Sequence, residues 1–207
     1  MQKKNKLVKS WVNRHVNDHY VHLAKTNGYR SRAAYKLAEM DKEFNLLKNV
    51  HTVLDLGCAP GSWLQYLSRN LSPDSNIIGV DLLNIEKLLN VTFIKGDFTD
   101  NSVVEQIIIA TNTQKLDLVL SDMSPNLSGI KNVDQSRIGL LIESILEFCD
   151  YNLKTQGNAL IKTFQGGEMD SLIKLARELF KNVIIKKPLS SRSESSEIYL
   201  LCKDKKI

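Results

Sequence analysis

Three aspartates and one lysine stand at or just past the ends of short apolar runs. Asp81 follows Asn76-Ile-Ile-Gly-Val80, and Asp97 follows Val91-Thr-Phe-Ile94. Asp122 follows Leu116-Asp-Leu-Val-Leu120, and Lys162 follows Asn158-Ala-Leu-Ile161. A further run, Thr52-Val-Leu-Asp-Leu56, opens into Gly57-Cys-Ala-Pro-Gly61. Gly57 permits a tight turn there, and Gly61 lets a ligand approach the backbone. The helix that follows offers free N–H groups at its start. A dinucleotide fingerprint would need G-x-G-x-x-G, with a pyrophosphate on those amides. This loop has glycine only at 57 and 61, so a nucleoside without phosphates fits better, and S-adenosylmethionine is one. Asp55, Gly57 and Gly61 would form its cradle. Asp81 would accept hydrogen bonds from both ribose hydroxyls, and Asp97 from the adenine amino group. A lone aspartate in such a place is usually a turn or a cap. Several at successive run ends, beside a glycine loop, point to a site.

Strands alternating with helices must position these groups. Apolar runs predict strands over 52–56, 76–80, 91–94, 116–120, 158–161, 183–186 and 196–202, and helical periodicity predicts helices over 31–44, 62–70, 102–110, 134–153 and 168–180. Ser31 is the expected cap of the first of these helices, with Ala34, Leu37, Ala38 and Met40 near one face. The alternation predicts an α/β fold with a doubly wound, mostly parallel sheet of seven strands. The last two strands have no helix between them and are expected as an antiparallel pair at one edge. Ligands of such sheets bind beyond the carboxyl ends of the strands, so Asp81, Asp97, Asp122 and Lys162 should share one rim.

Charge distribution points to the partner. Residues 1–36 carry nine Lys or Arg and a single acid, Asp18, whereas the other 171 residues carry 19 bases and 22 acids. A segment this basic suits a polyanion such as RNA. Trp11, Tyr20, Tyr29 and Tyr35 interleave the bases and offer stacking surfaces. The expected organisation is a basic RNA-facing segment over 1–30 and one domain over 31–207. The scattered cysteines, Cys58, Cys149 and Cys202, form no CxxC pair, which argues against a zinc site or a disulfide framework. His15, His19 and His22 have helical spacing, but no acidic or thiol partner completes a ligand set, so no metal is expected. The basic start lacks the apolar core of a secretory signal, and no apolar run approaches the length of a membrane span. A cytoplasmic, monomeric protein is the expectation.

Four stretches together resemble a known family. They are Ser31-Arg-Ala-Ala-Tyr-Lys-Leu37, Asp55-Leu-Gly-Cys-Ala-Pro-Gly-Ser-Trp63, Ser121-Asp-Met-Ser-Pro125 and Ser191-Arg-Ser-Glu-Ser-Ser-Glu197. The chain is similar in them to the FtsJ-type RNA 2′-O-ribose methyltransferases, from about Lys25 onward. The resemblance implies a Rossmann-like class I methyltransferase fold, S-adenosylmethionine as cofactor and a catalytic tetrad of Lys36, Asp122, Lys162 and Glu197. It also implies cofactor contacts from Gly61, Trp63, Asp81, Asp97 and Asp122. The implied substrate is ribosomal RNA in the large ribosomal subunit, with a uridine of the 23S A-loop as target. Transfer RNA, or a non-catalytic role in ribosome assembly, is the alternative. One stretch departs from the family pattern: Asn84-Ile-Glu-Lys-Leu88 stands where a proline-containing turn is usual.

The resemblance makes Lys162 the general base, which poses an electrostatic problem. An ordinary lysine titrates near ~10.4, while a useful base titrates at about 7–8. The difference is worth about 4 kcal/mol. A second ammonium, Lys36, at roughly 4 Å would supply that much at an effective dielectric near 20. Two carboxylates nearby oppose it. Lys162 is then either the proton acceptor or a charged group that steers the hydroxyl.

Overall fold

The computed structural model describes residues 16, 18–126, 128–166 and 169–207. Lys3, Lys4, Lys6, Lys9, Trp11, Arg14, His15 and Glu168 lie outside the described residues. Helix α1 spans His19–Thr26 and α2 spans Ala34–Phe44. The remaining elements alternate: β1 Thr52–Leu56, α3 Ser62–Asn70, β2 Asn76–Asp81, β3 Val91–Lys95, α4 Asn101–Ala110, β4 Leu116–Ser121, α5 Lys131–Asn152, β5 Leu153–Phe164, α6 Met169–Leu179, β6 Phe180–Lys186 and β7 Glu197–Lys205.

Seven strands form one sheet in the order β3-β2-β1-β4-β5-β7-β6. The first five are parallel. β7 runs antiparallel to both β5 and β6. The closing strands form the expected antiparallel pair, with β7 inside and β6 at the edge. Strands β1 and β4 are buried along their whole length, which is why they read as largely apolar runs, each with one aspartate, rather than as alternation.

Alternation still decides which side chain goes where. Leu56, Ile78, Ile161 and Leu200 pack on one face among residues of α4, α5 and α6. Val53, Ile77, Leu120, Leu160, Tyr199 and Leu201 pack on the other, against α2 and α3. Successive strand side chains point to opposite faces. Asp55, Lys162 and Glu197 are therefore in phase with Val53, Leu160 and Tyr199. The face that carries them is the one on which α2 lies.

Several boundaries differ from the sequence expectation. α2 starts at Ala34, with Ala33 as a cap that offers no side-chain bond. Ser31 instead shares a hydrogen bond with Ser62 Oγ at 2.6 Å and accepts from Ala33 N at 3.2 Å. A tertiary partner on α3 thus takes the hydroxyl expected to cap the helix. β5 begins at Leu153, well before Asn158, because Leu153 pairs with Leu116 ahead of a register shift. That irregular start breaks the apolar pattern that sequence reading relies on.

Candidate active site

The loop between β1 and α3 is shaped by its two glycines. Gly57 has φ +75° and Gly61 φ +100°, conformations that residues with a Cβ rarely adopt. At Gly57 space forbids a side chain as well, since the Met123 backbone N lies 2.9 Å from the Cβ position. A Cβ on Gly57 would lie 2.6 Å from Met123 Cγ, and one on Gly61 2.5 Å from Arg30 Nη1. Beside this loop opens a cavity of about 590 Å³, lined in part by Gly57, Asp81, Asp97, Phe98, Asp122 and Met123. That volume lies in the range of small-molecule sites.

The acids along the cavity are already oriented by backbone amides. Asp81 accepts from Ala59 N and from Leu83 N, both at 2.8 Å. Asp97 accepts from Thr99 N at 2.9 Å and from the Thr99 hydroxyl at 2.7 Å. The Thr99 backbone N–H, then its hydroxyl, hold the Asp97 carboxyl below the usual carboxylate range. Both remain acceptors with lone pairs to spare.

Asp55 is different. It is fully buried, and neither carboxylate oxygen has a hydrogen-bond partner. Burial first, then the charges of Asp122 and Asp81, push its carboxyl well above the ordinary value. It lines a void of about 20 Å³ together with Trp63 and Asp122, apart from the main cavity. Trp63 is 3% exposed and donates from Nε1 to Ala33 O at 2.7 Å. Its indole faces α2 and Tyr199, with ring centroids 6.0 Å apart.

The four charged residues form two ion pairs, and Asp122 of one of them lines the cavity. Lys36 Nζ is 2.6 Å from Glu197 Oε1. Lys162 Nζ is 3.1 Å from Asp122 Oδ1 and also donates to the Asp122 carbonyl oxygen. All four side chains are largely buried: Lys162 is 9% exposed and Lys36 13%. They come from α2, the end of β4, β5 and β7. Strand register explains the match, since Lys162 pairs with Tyr199 and Phe164 with Glu197.

Tyr199, which sequence reasoning passed over, joins the two pairs. Its hydroxyl donates to Asp122 Oδ1 at 2.7 Å, and Lys36 Nζ stands 5.8 Å from its ring centroid. Burial, then Asp122 and Glu197, keep the phenol well above its usual pKa and so a donor. The available signal was its place two residues after Glu197, on the same strand face. Ser191 adds a hydrogen bond to Glu197 Oε1 at 3.0 Å.

Arg30, counted by composition among the bases that face a polyanion, spends its guanidinium inside the protein. Nη1 donates to Pro60 O and Nη2 to Glu86 O, both at 2.9 Å. Its backbone N–H donates to Gln65 Oε1 at 2.7 Å. It braces the glycine loop against the loop after β2. Among the described residues, no group of three or more His, Cys, Asp or Glu could hold a metal ion, and no helix is long and apolar enough to cross a membrane.

A doubly wound sheet carrying acids at successive strand ends, a two-glycine loop and a cavity beside them has the form of a nucleoside-binding α/β enzyme. Comparison with known proteins gives the class its family. The model of the FtsJ-like methyltransferases matches residues 29–205, and the chain belongs to that family. It is 44% identical over 206 residues to ribosomal RNA large subunit methyltransferase E of Herminiimonas arsenicoxydans, covering 97% of this chain and 96% of that one. The enzyme of the same name from Legionella pneumophila strain Corby is 44% identical over 200 residues, covering 97% of each chain. Among solved structures, a ribosomal RNA methyltransferase from Plasmodium falciparum superposes with TM-score 0.76 at 33% identity, covering 86% of this chain and 98% of that one. Human methyltransferase-like protein 13, in complex with SAH, shares the fold at 15% identity and TM-score 0.54, over 83% and 79% of the two chains.

Proposed function

We propose that this protein transfers a methyl group from S-adenosylmethionine to a ribose 2′-hydroxyl of large-subunit ribosomal RNA, with a uridine of the 23S A-loop as target, and acts as a cytoplasmic monomer. The observation that carries the reading is the gathering of two lysine–carboxylate pairs around Tyr199, whose hydroxyl bonds Asp122 where that residue lines a nucleoside-sized cavity. The relatives named above are large-subunit rRNA methyltransferases.

The residues fit the cofactor. Asp81 and Asp97 are amide-held acceptors spaced along one cavity, suited to a ribose diol and an adenine amino group. Gly57 lines it at a point where a Cβ has no room. When bound, S-adenosylmethionine supplies a methyl group already activated by its sulfonium. The protein therefore has to align the hydroxyl and take its proton.

Lys162 does both. Two of its Nζ positions are committed to Asp122, which leaves one for the substrate oxygen. Lys36 and Glu197 position the ribose and fix the side from which it enters. Tyr199 keeps Asp122 in place. Asp55, Gly61 and Trp63 would support the loop that holds the cofactor.

The basic residues over 1–30 are assigned to RNA, apart from Arg30, and residues 31–207 to catalysis. Transfer of tritiated methyl groups to purified large subunits, free rRNA and tRNA tests the reading. Label should appear in the large subunit or its RNA, in an alkali-resistant dinucleotide. Label in tRNA alone would overturn the substrate, and absence of transfer to any RNA would overturn the activity.

A further inference from the structure

Two loops flank the nucleoside-sized cavity, and each contributes to its wall. The glycine loop does so through Gly57 and Ala59, and the stretch after β2 through Leu82 and Leu83. The roots of the two loops are joined near the main chain. Gly57 N and Cys58 N donate to Val80 O at 2.9 and 3.2 Å, and Ala59 N donates to Asp81 Oδ2. Beyond the roots, Arg30 joins them. Its Nη1 donates to Pro60 O and its Nη2 to Glu86 O, both at 2.9 Å, and its side chain is 15% exposed. The fork comes this close because Gly61 has no side chain, since a Cβ there would stand 2.5 Å from Nη1. The Glu86 carboxylate adds little, with Oε2 3.7 Å away on a side chain that is 92% exposed. The bridge therefore runs to main-chain carbonyls, whose positions are those of the loops themselves.

Arg30 is itself held by α3. Its backbone N–H donates to Gln65 Oε1, and Gln65 Nε2 donates to Gly28 O at 3.0 Å. One turn further on, Arg69 donates to Asn27 O at 2.9 Å and to Gly28 O at 3.2 Å, and its guanidinium carbon lies 4.4 Å from the Tyr29 ring centroid. Gln65 and Arg69 are four residues apart and share a helix face, which grips residues 27–30 and gives Arg30 a fixed base. α3 also begins at the glycine loop, so the contacts close a ring of loop, helix, linker and guanidinium. A side chain anchored at its backbone and spread between two carbonyls acts as a spacer. The stretch after β2 needs one. Residues 82–90 contain no proline and no helix or strand, so the chain there has more freedom to lose. Ile85 and Leu88 pack on the core, but apolar contacts are non-directional and leave the distance to the glycine loop to the polar bridge.

We propose that Arg30 is a positioning residue of the cofactor site, which sets the gap between the glycine loop and the loop after β2 and so decides the hold on a ligand that spans both. The proposal rests on the cofactor reading above. On that reading the nucleoside lies at Asp81 and Asp97, which leaves the glycine loop for the amino-acid end of the cofactor. A ligand with both ends feels the gap, and a bare nucleoside does not. Arg30 thus stands among bases assigned to RNA, yet its two terminal nitrogens are committed within the protein and act on the small ligand instead.

The test is calorimetric binding of S-adenosylmethionine, S-adenosylhomocysteine and adenosine to the protein and its variants. Arg30→Gln should raise the Kd of the first two about tenfold, as expected for lost hydrogen bonds from a charged donor, and that of adenosine less than about twofold. S-adenosylhomocysteine lacks the sulfonium charge, so an equal loss for both separates spacing from the removal of a nearby cation. Arg30→Lys keeps the charge but not the planar fork, and should weaken both long ligands at least about fivefold. In methyl transfer to large subunits, the cofactor KM of Arg30→Gln should rise about tenfold, with a much smaller fall in kcat. Retained adenosine binding also reports that a variant is folded. Parent-like affinity for both long ligands in Arg30→Gln overturns the proposal, and so does full rescue by Arg30→Lys. An equal loss for adenosine overturns it too, because that is general damage to the site. So does a change confined to S-adenosylmethionine, which is a charge effect. Failure of the parent itself to bind S-adenosylmethionine would instead sink the cofactor reading on which the proposal rests.

Discussion

The two ends of the candidate site are built in opposite ways. At the cofactor end, the acids are held by main-chain amides close in sequence, Asp97 by Thr99 and Asp81 by Leu83, with Ala59 reaching across from the next loop. Their charges are not neutralised by any cation among the described residues, and the cavity beside them is open. At the substrate end, every charged group is paired with another, and the partners come from α2, β4, β5 and β7. The first arrangement stores hydrogen-bond acceptors for a ligand to fill. The second stores a balanced charge set, which a ligand must disturb before a proton can move. Affinity for the cofactor and the rate of transfer should therefore respond to different residues.

The largest effect expected is on transfer. Lys162→Ala should lower the turnover rate by roughly 10³-fold, within the range of a lost general base, while the cofactor Kd from calorimetry stays within about threefold. Lys162→Arg sharpens the point, because arginine can steer a hydroxyl but cannot accept its proton at neutral pH. An equal loss is expected. Retained turnover in the arginine variant would assign Lys162 to steering alone.

The converse split is expected at Asp81. Asp81→Asn replaces one acceptor oxygen by a donor and should raise the cofactor Kd roughly tenfold to a hundredfold, the worth of hydrogen bonds to a charged group. Turnover at saturating cofactor should change little. A fall in turnover with unchanged Kd would erase the distinction between the two ends.

Tyr199 links to the tetrad through Asp122, which also lines the cavity. Tyr199→Phe removes one hydrogen bond from a buried carboxylate and should lower turnover about fivefold, in line with about 1 kcal/mol for a single bond. Calorimetric cofactor affinity should hold. A purely packing role would leave turnover unchanged, since the ring is retained.

The smallest effect concerns stability. Asp55 has its carboxyl raised by burial and by the acids around it. A carboxyl raised on folding favours the fold most below its unfolded value of about 3.9, and that advantage is lost as pH rises through the folded value. Asp55→Asn cannot ionise. Its Tm relative to the parent should climb as pH increases from 5 to 9, read by thermal unfolding without ligand. A constant difference across that range would contradict the assignment.

Much of this was legible before any coordinates. Glycines at 57 and 61, with acids just past the runs ending at Val80 and Ile94, pointed to the proposed cofactor end, because a strand, its turn and the first residue beyond it are local features. The substrate end was legible only through motif resemblance, since nothing in the spacing of residues 36, 122, 162 and 197 requires them to meet. Ser31 shows the same limit on a smaller scale. Its type predicts a cap, yet Ser62 is the partner it finds. Arg30 shows it for charge: as a base in a basic segment it reads as exposed, while Pro60 and Glu86 take its donors.

What the chain determines by itself is the alternation of strand and helix, the rim on which the acids stand and the surplus of bases at its start. These follow from apolar periodicity, from φ-permissive glycines and from charge count. The tertiary structure decided the pairing. Register between β5 and β7 set Lys162 beside Tyr199, packing of α2 on the sheet delivered Lys36 to Glu197, and the placement of α1 put its cap Asp18 between two arginines. Such contacts join residues up to 174 positions apart. They depend on which faces are buried together, which only the packed sheet specifies.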